Sequence, residues 1–474
     1  MIDKALEMNK SIFKHLLFSA LFPTLFADCS KPPSSATQIE IVMESDTIIA
    51  TNFTVYDLLS LERKNSVNAT LDTLHNLFTI SKDAPFFGVL QAGNTEQLLY
   101  IAPGFDLKVG NSSEAGFKLT GKGAEINQYF QQLKGIEDAS FSREPYTYLL
   151  DPDGFQLRMD SLQQEVDRIE TAHLSPEEVA LINKIKEMKA VNYQLQYLIQ
   201  QHGPGNPIPD TSLPDWTTLE SNLDLYDLQY PEYGISLHFF LDVFFYNELR
   251  KPPFSTDELS IQQFYKKVDQ RIRTTEMSKE LQELLLAKNL SWAFLTTGYN
   301  PSTEAIYRSF TRGFPDTESA QTITQTYKAF FTLRSGAMAP DLSGLTPDGK
   351  ELKLQELAGN IVYLDIWATW CGPCIREFPA SRELAAKYEH EPVRFVYLSI
   401  DEDFAKWDNF LQKNPSFTGI HLLQKEKKIL LERYQLLEIP RYILIDQQGR
   451  IVASRAPWPS SGKVEVLLDS LLQQ

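Results

Sequence analysis

Cys371 and Cys374 are two of only three cysteines in this chain, and they bracket Gly372 and Pro373 in the run Trp370-Cys-Gly-Pro-Cys374. Two intervening residues is the spacing at which a strand-to-helix turn can close and reopen a disulfide. Upstream, Ile361-Val-Tyr-Leu-Asp-Ile-Trp367 reads as a buried parallel strand, a short and almost continuous apolar run. Downstream, residues 375–388 read as a helix, with Phe378, Leu384, Ala385 and Tyr388 recurring at roughly helical spacing. The first sulfur then lies at a helix N-terminus, where unpaired amides and the helix dipole favour thiolate over thiol. Thiolate is the form that attacks disulfides. A structural zinc half-site is the competing use, but no second Cys-x-x-Cys or His-x3-His completes it. Ile375 rules out the Cys-x-x-Cys-His haem signature. The pattern is that of a redox dithiol.

Further residues extend the motif in order. Gly336-Ala-Met-Ala-Pro-Asp-Leu342 and the turn Asp348-Gly-Lys350 precede the strand, and Asp365 lies six residues before Cys371. Glu377 and Pro379 follow in the helix, then Ile439-Pro440, the strand Tyr442-Ile-Leu-Ile-Asp446, the turn Gln448-Gly449 and a strand from Ile451. With these residues the segment 336–474 resembles the TlpA/ResA-type thiol–disulfide oxidoreductases of the thioredoxin superfamily, in a large multidomain form typical of Bacteroidota. Arg441 departs from the Thr that many thioredoxins carry there, which leaves client preference open.

The resemblance implies roles. Cys371 is expected to be the exposed nucleophile that forms a mixed disulfide with a client, and Cys374 to resolve it. Asp365, in low dielectric beneath the disulfide, is expected to accept the proton of Cys374. Glu377 sits where the family places a glutamate near the second sulfur; the bland alternative is a solvated helical side chain. Trp370, Gly372, Pro373, Ile439 and Pro440 are expected to touch the client, with Pro440 in the cis form presenting backbone groups to an extended strand. No cofactor beyond the Cys371–Cys374 disulfide is implied. The implied partners are disulfide-containing exported proteins and a DsbD/CcdA-like membrane electron donor.

Outside this segment the sequence bounds more than it specifies. The length of 474 residues leaves room for about three domains. A net charge of −17 argues against nucleic-acid binding. The N-terminus reads as a targeting signal: a basic stretch from Met8 to Lys14, then an apolar run from His15 to Ala27, then Asp28-Cys29. Cys29 fits lipidation, which would leave no odd thiol in an oxidising space. Asp28, however, departs from the small residue usual before a lipidated cysteine, and Leu25-Phe26-Ala27 also suits ordinary signal peptidase. The expected location is the cell envelope, on the periplasmic side or at the surface.

The expected layout is a signal peptide (1–29), a tether (30–36), a β-sandwich-like domain (37–130), an all-α domain (131–335) and an α/β thioredoxin fold (336–474). Short β-prone runs such as Phe86-Phe-Gly-Val-Leu90 and Gln97-Leu-Leu-Tyr-Ile101 support the β-sandwich-like domain. Ile101-Ala-Pro-Gly104 and Gly121-Lys-Gly-Ala-Glu-Ile-Asn127 add a looser resemblance to the N-terminal domain of large TlpA-like proteins. In the helical part, Ser175-Pro-Glu-Glu178 is a helix start running towards Tyr197, and helices are expected over 219–249, 256–273, 278–289 and 317–333. Asp151-Pro-Asp-Gly154 reads as a plain turn, since no glutamate stands at the twelfth position of a calcium loop. The aromatic stripe Phe239–Tyr246 reads as core rather than ligand groove.

Two other functions compete with a reductase. A peroxiredoxin-like peroxidase would centre on one peroxidatic cysteine, whereas Cys374 stands beside Cys371. A surface glycan- or peptide-binding protein would use residues before 336 and keep the redox segment as an accessory.

Overall fold

A computed structural model describes residues 38–473, less 44–49, 58–61, 65–68, 73–76, 82–83, 93–94, 114–115, 144–145, 203–207, 210–216, 246, 248–257, 425–426 and 437. The expected signal peptide, the tether and Cys29 lie outside the described residues. Two compact units emerge: residues up to 255 with 270–288, and residues 256–269 with 289 onward. The division passes through the helices Glu258–Thr274 and Lys279–Thr297, not at a composition boundary.

The first unit begins with nine strands: β1 (Gln38–Met43), β2 (Ala50–Asp57), β3 (Glu62–Lys64), β4 (Ala69–Asp72), β5 (Leu77–Ser81), β6 (Phe86–Ala92), β7 (Thr95–Ile101), β8 (Asp106–Ser113) and β9 (Gly116–Lys122). They form two sheets, ordered β4-β5-β1-β8-β9 and β3-β2-β6-β7. Phe53, Phe86, Leu90, Leu99 and Ile101 from one sheet share a cluster with Leu107, Val109, Phe117 and Leu119 from the other. The period-two spacing of these residues puts each pair on one face of its strand.

Helices follow from Ala124, earlier than the expected 131. Ser175 caps Pro176–Gln201 through a capping box with Glu178. Asp151 is also a cap: its carboxylate accepts from Gly154 N at 2.8 Å and opens the helix Pro152–Val166, where a plain turn was expected. The helix expected over 219–249 is instead broken into Thr217–Ser221, Asp224–Asp227 and Pro231–Phe240. Gln229 at φ 57° ends one piece, and Pro231, lacking an N–H, can only begin the next. Phe239, Phe240, Leu241 and Val243 are buried, as a core reading requires. Lys189 lies buried between Glu232 and Glu137, 3.0 Å from the latter, and Tyr193 also donates to Glu137. Burial pushes the Glu137 carboxyl above its usual range. The cluster ties three helices together with its charges paired.

The second unit carries the helices Pro301–Gly313 and Glu318–Phe331 and a seven-stranded sheet. Asn300 caps the first of these with Pro301 at its first turn, a start the sequence reading did not mark. The strands are β10 (Ser343–Leu345), β11 (Glu351–Lys353), β12 (Ile361–Trp367), β13 (Val393–Ser399), β14 (Ile420–Leu423), β15 (Arg441–Ile445) and β16 (Ile451–Ala453), ordered β11-β10-β14-β13-β12-β15-β16. β12, β13 and β14 run parallel, and β15 pairs antiparallel to β12. Every residue of β12 is buried, because both faces of the sheet are covered. On one face Tyr363, Trp367, Tyr397, Tyr442 and Leu444 pack with Cys371, Cys374, Phe378, Val464 and Leu468. On the other, Val362, Leu364, Ile366, Ile443 and Ile445 pack with Leu333, Leu430 and Tyr434.

Candidate active site

β12 delivers the chain to the site. Its last residues face the covered layer, and Ala368–Trp370 then turns into the helix Gly372–Lys387. Asp401, just beyond β13, fixes that turn: its carboxylate accepts from Thr369 N at 2.9 Å, Thr369 Oγ1 at 2.7 Å and Ser399 Oγ at 2.6 Å. A carboxylate that takes three donors across two loops holds both in one geometry. No signal in the sequence linked residues 369 and 401.

Cys371 is the N-cap of the helix and Pro373 occupies its first turn, where a missing N–H costs nothing. Cys371 and Cys374 are joined by a disulfide. The Cys374 amide points at Cys371 Sγ from 3.2 Å, so a free Cys371 thiolate would meet a helix N–H donor. Cys371 keeps 5% of its surface and Cys374 none, so attack from outside falls on Cys371. The nucleophile is thus far less exposed than expected. Trp370, 63% exposed, and Ile375 form an apolar rim beside it. The Ile439–Pro440 bond is cis, and Ile439 packs against the cluster that contains both cysteines.

Beneath the disulfide lie two buried carboxyl groups. Asp365 alternates along β12 with Tyr363 and Trp367, which places it on the disulfide face. Neither of its oxygens has a hydrogen-bond partner among the described residues. Burial, then the charge of Glu377, holds the Asp365 carboxyl well above the usual carboxylate range. Glu377 follows Cys374 by three residues and so shares its helix face. It is buried, not the solvated side chain that its helical position allows. Both its oxygens are bound by Ser460, from the amide at 3.0 Å and the hydroxyl at 2.9 Å. Ser460 was not foreseen, since it lies 83 positions away from Glu377.

Arg441 sits elsewhere. It pairs across the strands with Ile366, and partners in register share a face, so it points into the layer opposite the disulfide. It is 3% exposed and its Nε and Nη2 have no partner among the described residues, so it is not a surface reader of clients. Nearby Arg455 bonds Glu438 at 3.2 Å, leaving two guanidiniums to one carboxylate. Burial, then Arg455, pushes the Arg441 pKa well down. A buried cation with two nitrogens unpaired and only a shared carboxylate to neutralise it destabilises. Arg441→Met, of similar reach, is expected to stabilise the full chain by about 1–2 kcal/mol, read as a higher urea midpoint for the redox unit. A lower midpoint would show that the guanidinium has a partner in solution.

The sheet order, the cis-proline strand and a cysteine pair capping a helix define a thioredoxin-fold dithiol enzyme. The Redoxin family profile matches residues 334–466. The thiol–disulfide oxidoreductase ResA of Bacillus cereus is 32% identical over 130 residues, covering 27% of this chain and 74% of that protein. ResA of Bacillus subtilis is 28% identical over 130 residues, covering 27% and 72%. The crystal structure of the thioredoxin domain of a thiol–disulfide oxidoreductase from Bacteroides vulgatus is 22% identical, with a TM-score of 0.28, covering 30% of this chain and 99% of that one. The chain belongs, through its C-terminal segment, to the ResA/TlpA-like thiol–disulfide oxidoreductases. It is an enzyme of disulfide exchange. Among the described residues no cluster of His, Cys, Asp or Glu is arranged to hold a metal ion, and no helix is long and apolar enough to cross a membrane.

Proposed function

We propose that this protein reduces disulfides of exported proteins in the cell envelope. The observation that carries the chemistry is the Cys371–Cys374 pair at the helix start, with Cys371 alone reachable from solvent. In the reduced enzyme the Cys371 thiolate attacks a client disulfide. One client sulfur leaves as a thiolate and takes a proton from solvent, and a mixed disulfide remains. Cys374 then gives its proton to the carboxyl pair and attacks Cys371 Sγ, expelling the second client thiolate. Two electrons pass to the client, and the enzyme is left with its own disulfide.

The two carboxyls divide the work. Glu377, whose two oxygens accept from Ser460, is the acceptor for the Cys374 proton. Asp365, without hydrogen-bond partners and with its carboxyl held well above the usual range, keeps its own proton. Trp370, Gly372, Pro373, Ile439 and Pro440 line the approach, where an extended client segment adds to the backbone.

The reducing direction is supported by the Gly-Pro dipeptide, which thioredoxin carries at about −270 mV, against about −120 mV for DsbA. An envelope reductase needs electrons from across the membrane, hence a DsbD/CcdA-like donor, and the N-terminal signal, with lipidation at Cys29, would keep it there. Equilibration of the full chain against a series of dithiothreitol ratios tests the direction. A potential below about −220 mV is expected; one near that of DsbA would make the protein an oxidant and end this reading.

A further inference from the structure

Glu377 is buried in the redox domain, yet among the described residues no cation pairs with it. An unpaired buried carboxylate is costly unless donors replace the water it has lost. Both donors here come from one residue, and that residue stands outside the motif. Ser460 occupies the short turn Pro459–Ser461 after β16. The turn is itself fixed: Ser461 donates to Trp458 O through its amide at 3.0 Å and its hydroxyl at 2.5 Å, and Gly462 at φ 69° turns the chain into the helix Lys463–Leu472. Val464 and Leu468 of that helix pack in the cluster that contains both cysteines. The serine's amide and hydroxyl are therefore held in place by the fold.

We infer that Ser460 is the positioning residue of this redox centre, holding the Glu377 carboxyl group on the helix face it shares with Cys374. The inference rests on the reading of Glu377 as acceptor of the Cys374 proton. The hydroxyl bond to Oε1 is the part a substitution can remove, since the amide bond to Oε2 belongs to the backbone. Without the hydroxyl the charged form loses one charge-assisted bond, and the carboxyl gains freedom to turn away from Cys374. Only the second chemical step should feel this, because Cys371 draws its thiolate character from the helix end.

The test is single-turnover reduction of a fluorescent peptide disulfide by the reduced full chain, following mixed-disulfide formation and its resolution separately between pH 5 and 9. Ser460→Ala is expected to slow resolution roughly tenfold, the loss of one charge-assisted hydrogen bond. Formation of the mixed disulfide should stay unchanged, and Ser460→Thr should restore resolution. In a Glu377→Gln background, itself slow in resolution, Ser460→Ala should add nothing. If Glu377→Gln slows resolution but Ser460→Ala does not, the inference fails while the role of Glu377 stands. If Glu377→Gln leaves resolution untouched, the acceptor reading fails and takes this inference with it. Equal slowing of both steps by Ser460→Ala, without rescue by Thr, would make Ser460 a structural residue only.

Discussion

Cys374→Ser is expected to turn the enzyme into a trap. Resolution requires a second sulfur within the helix turn, and Cys374 is fully buried against Cys371, with no other described cysteine at hand. Removing it leaves the first attack intact and blocks the second, so client should accumulate as a covalent adduct at one equivalent per enzyme. Turnover of insulin disulfides should fall by roughly 10³-fold or more, as when one member of a catalytic unit is lost. Cys371→Ser should be equally inactive but trap nothing, since the buried sulfur cannot be reached. Non-reducing gels of envelope extracts would show the contrast. Adducts on Cys371→Ser, or brisk turnover by Cys374→Ser, would invert the assigned order of attack.

What could be read in advance was what is local. The strand Ile361–Trp367 and the cysteine-capped helix each announce themselves within a few residues, because burial on both faces and capping are written in short runs, while the cis bond before Pro440 was expected only from the family resemblance. Asp365 was legible for the same reason: a lone acid in an apolar strand has few bland uses. The support of the site was not legible. Asp401 reaches Thr369 across 32 positions, and Ser460 reaches Glu377 across 83. A serine in a turn rich in serine and proline carries no mark of its partner. Arg441 was legible only as a departure from the Thr many thioredoxins carry; that it points into the sheet's other layer follows from the strand register alone. Some misses were readable: Asn300-Pro301 and Asp151-Pro152 are both cap-plus-proline starts, and Pro231 forbids an unbroken helix through it.

Asp365→Asn should raise stability at neutral pH while leaving a working enzyme. The carboxyl is fully enclosed, lacks a donor, and faces the charge of Glu377, so the folded chain holds its proton to a much higher pH than the unfolded chain does. Below about pH 3.9 both forms are protonated and the group contributes nothing to the difference. Above it the unfolded chain releases the proton and the folded chain does not, so stability falls by about 1.4 kcal/mol per pH unit. The fall ends once the pH passes the folded-state value. Asparagine carries no titrating proton, so the variant should lose this slope and be more stable than the parent at pH 7. Urea unfolding of the oxidised chain between pH 4 and 9 measures both. Resolution of the mixed disulfide should slow less than in Glu377→Gln, because a neutral amide resembles the neutral acid that stands there. A variant no more stable than the parent at pH 7, or one with an unchanged pH slope, would mean that Asp365 is ionised in the folded protein. Asp365 would then be the acceptor of the Cys374 proton.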